Sequence, residues 1–269
     1  MSYTAQDVKK LREETDAPMM ECKSALEEAA GDFERAKEIL REKGKASAGK
    51  KAGRATNAGR VGIVLNEDAT KAGIALVESE TDFVSNNEGF VSATADVANE
   101  ALSKGTLSAD RMNELSVDVV AKFRENCVVK IAEQMTTGGK LAVYVHHDGS
   151  KGAIIEAEGD AAGTEAIRKL AIQVVASPPQ VVSKEDLSQE LLDSEYQIQY
   201  TRAINEGKPA NIAENMAKGR VNKEFIKEAV LLEQPFYADP SKTVGQYLAE
   251  SAKNTKVLSF RLIAVGTGE

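Results

Sequence analysis

The sequence feature that most constrains the fold is an internal repeat, in which one strand–turn–strand pattern occurs twice, about 80 residues apart. Residues 59–77 read GRVGIVLNEDATKAGIALV, and residues 139–157 read GKLAVYVHHDGSKGAIIEA. In both copies apolar residues alternate along a first strand, a polar turn follows, and a second apolar strand comes after it. A duplication of this kind predicts two related α+β subdomains that pack as one core.

Each copy is followed by a segment with the apolar stripe of a helix. The stripes consist of Phe90, Val91, Thr94, Val97 and Leu102 in the first copy, and Ala166, Ile167, Leu170, Ile172 and Val174 in the second. The segment between the copies, about residues 106–137, is also predicted to be helical. The core subdomains are assigned to residues 61–138 and 139–183, and residues 229–269 complete the second one.

The first 45 residues predict three short helices that form a minimal bundle. Thr15–Pro18 separates the first helix from the second, because proline disfavours a helical conformation in the residue before it. The apolar stripes are Val8 and Leu11 in the first helix, Met19, Cys22, Ala25, Leu26 and Ala29 in the second, and Phe33, Ala36, Ile39 and Leu40 in the third. Gly44 is predicted to end the third helix. A bundle this small has little core, so residues 1–45 are expected to be a docking unit.

Residues 45–60 read KASAGKKAGRATNAGR, with five basic side chains and no acid. This composition predicts a flexible basic linker, which is assigned to residues 46–60. The segment Gly44–Lys51 comes within one residue of a phosphate-binding loop. That motif ends on a serine or threonine hydroxyl, and Lys51 stands there instead, so a nucleotide site is excluded.

The segment from Lys184 to Arg220 carries two amphipathic helices joined by EGKP at residues 206–209. A helical hairpin between β-containing segments is an excursion from the core. It must bury its apolar stripe on something, and a partner subunit is one candidate. The hairpin is assigned to residues 184–228, and the last strand, 257–263, is predicted to rejoin the core sheet.

Composition narrows the chemistry that this chain can perform. It has 34 Lys plus Arg, 42 Asp plus Glu, two His, two Cys and no Trp. The net charge of −8 argues against general nucleic-acid binding, and no apolar run is long enough to span a membrane. Cys22 and Cys127 have no metal-ligand spacing, which favours a reducing cytoplasm. Cys22 is expected to be a small core residue.

The most unusual local sequence is ESETDFVSNN at residues 78–87. In an extended conformation Glu78, Glu80 and Asp82 share one face, because side chains alternate along a strand. Such a row either binds magnesium or acts as an acid and base, or it is simply a solvated strand end. Phe83 has no counterpart in the second repeat. It is typical of a contact residue that enters a partner's pocket, the alternative being a Phe tucked under its own helix.

His146 and His147 stand at the turn of the second repeat. Adjacent side chains on a strand point to opposite faces and cannot bind one metal ion by themselves. These histidines are therefore predicted to be exposed turn residues.

Several segments resemble the bacterial translation elongation factor Ts family, in the same order along essentially the whole chain. They are LREETDAPMMECKSALEEAAGDFERAKEILREKG, KKAGR, TDFVSNNEGF, QPFYADPSKTVGQYL and FRLIAVGTGE. The resemblance implies an α+β fold with an amino-terminal three-helix domain like a ubiquitin-associated domain. The implied fold also has a core of two antiparallel-sheet subdomains and an inserted helical dimerisation hairpin. This family is the guanine-nucleotide exchange factor for elongation factor Tu, so no catalytic residues are implied.

The resemblance also implies partner-binding roles for residues of this chain. The segment that displaces magnesium from the partner's nucleotide site is matched by Thr81, Asp82, Phe83 and Val84. The face that docks on the partner's GTPase domain is matched by Leu11, Met19 and Met20. A contact of the second subdomain is matched by His146, with the adjacent His147. No cofactor, resident metal, nucleic acid or membrane is implied, and the hairpin is a candidate homodimer contact. From the residues alone, a magnesium-binding carboxylate enzyme and a docking scaffold without exchange activity stay open.

Overall fold

The computed structural model describes residues 3–15 and 17–266. Its α-helices are α1 (Ala5–Thr15), α2 (Met19–Glu28), α3 (Phe33–Lys51), α4 (Asp82–Ser85), α5 (Glu88–Lys104), α6 (Ala109–Phe123), α7 (Glu165–Ala176), α8 (Gln189–Asn205), α9 (Ala210–Arg220), α10 (Ile226–Ala229) and α11 (Val244–Ser251). Its strands are β1 (Ala58–Leu65), β2 (Lys71–Ser79), β3 (Cys127–Thr136), β4 (Lys140–Val145), β5 (Lys151–Gly159), β6 (Pro235–Phe236), β7 (Asp239–Thr243) and β8 (Thr255–Ala264). Across the described ranges, none of the helices is long and apolar enough to cross a membrane.

The front bundle consists of α1, α2 and α3, as predicted. Leu11, Cys22 and Leu26 form part of its core, and none of the three has exposed surface. The predicted interruption is present, since α1 ends at Thr15 and α2 begins after Pro18, with Asp16 outside the described residues.

The prediction that Gly44 ends the third helix is wrong, because α3 continues to Lys51. Gly44 lies where α3 meets α6, and a Cβ atom there would come within 2.8 Å of the Cβ of Ala121. The glycine allows α3 and α6 to approach closely, and it does not end the helix. The predicted linker is correspondingly shorter, since residues 52–57 alone separate α3 from β1 in the described chain.

Two three-stranded antiparallel sheets form the core, with strand orders β1-β2-β3 and β4-β5-β8. The central strands β2 and β5 begin 80 positions apart, at Lys71 and Lys151. Their registers shift at equivalent places, between Leu76 and Val77 in β2 and between Glu156 and Ala157 in β5. The duplicated α+β core is therefore confirmed, down to the position of an irregularity in the strand.

The prediction that residues 106–137 are helical is wrong for its second half. α6 ends at Phe123, and Arg124 then adopts a left-handed conformation with φ of 63°. The chain turns there and returns as β3, which pairs antiparallel with β2. The first subdomain thus has a third strand that corresponds to β8 in the second.

The sheets pack face to face, and helices cover their outer faces. Ile74 and Leu76 of β2 lie in the core shared with Ile154 of the second sheet. Their neighbours Ala75 and Val77 pack on the opposite side, in the core that includes Phe90 of α5. Because successive side chains of a strand point to opposite faces, β2 supplies both cores, and its residues 72–77 are all apolar or glycine. The core covered by α7 and α11 has the same arrangement on β5.

α8 and α9 form the predicted hairpin, with its turn at residues 206–209. Ala203, Ala213 and Ala217 are completely buried within it, whereas isoleucines remain exposed on its surface. After α11 the chain re-enters the core as β8, which pairs with β5 and confirms the predicted return of the last strand.

Candidate functional site

Residues 81–84 form an exposed turn directly after the central strand β2. The strand ends at Ser79, and Asp82 begins the single-turn helix α4. Phe83 is 86% exposed, which is more than any other exposed large apolar side chain among the described residues. Val84 instead packs against the core of the first sheet. The alternative of a Phe tucked under its own helix is therefore wrong.

Two carboxylates fix the base of this turn to the chain that precedes β3. Glu125 accepts hydrogen bonds from the backbone N–H of Thr81 at 3.0 Å and from its hydroxyl at 2.7 Å. In the opposite direction, Glu80 accepts from the backbone N–H of Asn126 at 2.6 Å. This bond, aided by the charge of Arg54, lowers the pKa of Glu80. Hydrogen bonds to ionised carboxylates are stronger than neutral ones, so the turn is firmly held.

Arg60 connects the same turn to the second repeat. Its guanidinium donates to the backbone carbonyl of Ser85 at 3.3 Å and to that of Asp148 at 3.5 Å. Beside it, the backbone N–H of Val61 donates to the carbonyl of Gly149 at 2.8 Å. Gly149 has φ of 72°, and a Cβ atom there would come within 2.7 Å of the Arg60 guanidinium. The turn of residues 81–84 and the histidine turn thus lie side by side, although distant in sequence.

His146 and His147 follow β4, which ends at Val145. Their ring centroids are 4.3 Å apart, so the prediction that they point to opposite faces is wrong. The strand has already ended, and the alternation of side chains does not continue. His147 is exposed as predicted, while His146 is half-buried, with its Nδ1 3.1 Å from the hydroxyl of Tyr144. His146 borders a cavity of about 470 Å³ that Tyr144 and Asp148 also line.

The three residues matched to a docking face of the front bundle do not share one environment. Met19 and Met20 are 44% and 71% exposed at the start of α2. Leu11 has no exposed surface and packs in the bundle core. Its assignment as a contact residue is corrected accordingly: Leu11 supports the bundle, and the two methionines are its exposed apolar residues at this face.

Glu78, Glu80 and Asp82 do not form the row that an extended strand would give. The strand ends at Ser79, and the chain then turns into α4. Glu78 is only 4% exposed, and its carboxylate accepts a hydrogen bond from the hydroxyl of Thr56 at 2.8 Å. Within residues 3–15 and 17–266, no group of three or more His, Cys, Asp or Glu side chains is placed to hold a metal ion.

Both cysteines are buried and free. Burial raises the pKa of the Cys22 thiol, and burial together with the nearby Glu125 raises that of Cys127 to about 12. A thiol that stays protonated is a poor nucleophile. The prediction that Cys22 is a core residue is confirmed.

Sequence reasoning missed two residues that hold the site, Glu125 and Arg60. Glu125 lies 44 positions from Thr81, and no local pattern joins the two. Arg60 was assigned to the linker although it also stands at the start of the first repeat, and it lies in β1. For Glu125, the alternating Cys127, Val129 and Ile131 of β3 could have shown that it lies just before a strand.

Comparison with known proteins places this architecture in a family. The family model for elongation factor TS matches residues 80–267. Elongation factor Ts of Clostridioides difficile (strain 630) is 40% identical over 285 residues, which cover 99% of this chain and 94% of that protein. The protein of the same name from Nitratidesulfovibrio vulgaris (strain DP4) is 39% identical, and the match covers 94% of this chain and 91% of that protein. The one from Aquifex aeolicus (strain VF5) is 36% identical, and the match covers 99% of each chain. The chain therefore belongs to the elongation factor Ts family of translation elongation factors.

Proposed function

We propose that this protein binds elongation factor Tu in its GDP-bound form and promotes release of GDP, so that GTP can bind. The observation that carries the proposal is Phe83, an 86% exposed aromatic beside the exposed Asp82, on a turn fixed by Glu125 and Arg60. A large apolar side chain presented on a rigid support enters a partner's pocket with little loss of conformational entropy.

The proposed mechanism acts on magnesium at the partner's nucleotide site. Tight guanine-nucleotide binding depends on phosphates held by backbone amides and a lysine, with magnesium bridging phosphate oxygens. Asp82 and Phe83, wedged between the elements that present the ion, displace it and favour the nucleotide-free state. By linkage, the protein weakens nucleotide affinity by the same factor by which nucleotide weakens binding of the protein. No bond is made or broken, so we assign an exchange factor and not an enzyme, with no cofactor.

Two further surfaces complete the proposed interface. Met19 and Met20 offer exposed, polarisable side chains that suit docking on the partner's GTPase domain. His146 and His147 lie beside the Phe83 turn, to which Arg60 connects them, and so belong to the same contact region. The front domain, the two core subdomains and the hairpin are proposed to divide docking, exchange and self-association among them.

Self-association through the hairpin is proposed from its exposed isoleucines. They are Ile198, Ile204 and Ile212. A second copy of the chain offers the same surface, as a two-fold dimer requires. Sedimentation measures the oligomeric state: we expect a dimer for the wild-type protein and a monomer for Ile198→Glu. A wild-type monomer at high concentration would count against this assignment.

Release of labelled GDP from elongation factor Tu, followed by stopped flow, tests the exchange function. We expect catalytic amounts of this protein to accelerate release, because each molecule dissociates and acts again. Binding without faster release would instead indicate a docking scaffold. Saturable magnesium binding by the isolated chain would indicate the carboxylate enzyme.

A further inference from the structure

We propose that Glu125 is a positioning residue that holds Asp82 and Phe83 in the orientation needed for nucleotide exchange. The inference rests on the proposed exchange function and adds to it a residue outside the 81–84 segment. Glu125 itself need not contact the partner. It acts through Thr81, whose backbone N–H and hydroxyl are hydrogen-bonded to its two carboxylate oxygens.

Phe83 has almost no packing of its own to fix its position. With 86% of its surface exposed, its position follows from the backbone that carries it. That backbone is α4, a helix of four residues, and so short a helix is not stable by itself. Thr81 stands at its N-cap, yet the Thr81 side chain makes no capping bond to the helix. Its hydroxyl donates to Glu125 instead, so the turn is held from outside.

Glu125 is itself held in place by the residues on either side of it. Arg124 precedes it in a left-handed conformation that ends α6. Asn126 follows it, is 6% exposed, and is bound at its backbone N–H by Glu80 and through its side chain to the carbonyl of Arg54 at 2.7 Å. The half-buried carboxylate of Glu125 thus projects from a backbone that is constrained on both sides.

The second copy of the repeat has a corresponding loop, which serves as an internal comparison. Ala161 lies 80 positions after Thr81, and its backbone N–H donates to the hydroxyl of Thr255 at 2.9 Å. Thr255 is the first residue of β8, the strand that corresponds to β3. Both loops are therefore anchored through the equivalent backbone amide. In both subdomains the anchoring side chain comes from near the beginning of the third strand. The loop that presents an aromatic is the one anchored by a carboxylate with two bonds.

The test measures GDP release from elongation factor Tu with wild-type protein, Glu125→Ala and Glu125→Gln, each also in a Phe83→Ala background. Glu125→Ala is expected to lower the maximal release rate about tenfold, the scale of one charge-assisted hydrogen bond. The protein concentration needed for half-maximal release should change less, because the other contacts remain. Glu125→Gln should restore most of the rate, since its carbonyl accepts one of the two Thr81 hydrogen bonds and its neutral amide keeps the shape of the side chain. In the Phe83→Ala background, Glu125→Ala should have little further effect.

A matched control and a partner-free readout separate the outcomes. Thr255→Val removes the corresponding anchor in the second copy and should leave the release rate unchanged. In the free protein, amide hydrogen exchange at residues 81–86 should be faster in Glu125→Ala than in wild type, while thermal unfolding remains a single cooperative transition. Equal rate losses with and without the Phe83→Ala substitution, or unchanged amide exchange, would overturn the positioning role. If wild-type protein itself failed to accelerate release while amide exchange responded, the exchange function would be the part that fails.

Discussion

At the scale of single residues, exposure separates side chains that hold the fold from those available to a partner. Leu11 and Met20 were assigned to one docking face by resemblance, yet the first has no exposed surface and the second is 71% exposed. The periodicity of α1 already placed Leu11 on the buried side of its helix, so the sequence contained the information that corrects its role.

Substitution of these two residues is expected to have opposite signatures. Leu11→Ala leaves a cavity in the front bundle and should lower its free energy of unfolding by about 2–5 kcal/mol. Met20→Ala should change that free energy by less than about 0.5 kcal/mol, because it lies at the surface, and should weaken binding to elongation factor Tu. Chemical denaturation and a titration with the partner measure both quantities. A strongly destabilised Met20→Ala would contradict the assignment.

Titration of Glu100 offers a second residue-level test. Arg111 of α6 donates to Glu100 of α5 at 2.8 Å and 3.0 Å, and this pairing lowers the pKa of Glu100 from 4.5 to about 2. A carboxyl group whose pKa is lower in the folded state stabilises the fold above its unfolded pKa. The contribution is therefore complete above pH 4.5 and is lost as pH falls towards 2.

Glu100→Gln is accordingly expected to lower the free energy of unfolding at pH 7 by about 1 kcal/mol. The difference from wild type should shrink between pH 4.5 and about pH 2. Urea unfolding at a series of pH values measures it. Glu114→Gln is the control, because Glu114 also pairs with Arg111 but is more exposed. A difference that stays constant down to about pH 2.5 would show that the ion pair is not its source.

At the scale of elements, the sequence predicted the types of the segments better than their ends. Local periodicity identified the front helices, the two strand pairs and the hairpin. It did not distinguish Gly44 as a helix end from Gly44 as a contact, because that difference depends on Ala121, far away in the chain. β3 was missed although Cys127, Val129 and Ile131 alternate along it, because a helix precedes it closely and the left-handed Arg124 between them carries no glycine signal.

The close contact at Gly44 can be tested with a matched pair in one helix. A Cβ atom at Gly44 would lie 2.8 Å from the Cβ of Ala121, whereas one at Gly49 would have nothing within 4 Å. Gly44→Leu should therefore push α3 from α6 and cost about 1–3 kcal/mol, and Gly49→Leu should be neutral or stabilising. Thermal unfolding and limited proteolysis at residues 52–57 measure the effect. Equal behaviour of the two variants would contradict the contact.

At the scale of the whole molecule, the two halves of the core share one architecture, and among the described residues only the first half presents an exposed aromatic side chain after its central strand. The two sheets share strand order, central-strand length and the position of the register shift. They differ in the loop after the central strand, where the first copy has Thr81–Val84 and the second has small residues from Ala161 to Gly163. Repeat and loop difference were both visible in the sequence. The anchors of the loop were not, because Glu125 and Arg60 reach it through tertiary structure.

The central claim is that Phe83 drives nucleotide release, and one comparison tests it most directly. Release of labelled GDP from elongation factor Tu is measured by stopped flow with catalytic amounts of wild-type protein and of Phe83→Ala. Because Phe83 is 86% exposed, its removal should leave the thermal midpoint unchanged. The account predicts markedly slower release with Phe83→Ala than with wild type at the same concentration. Equal release rates from the two folded proteins would contradict it.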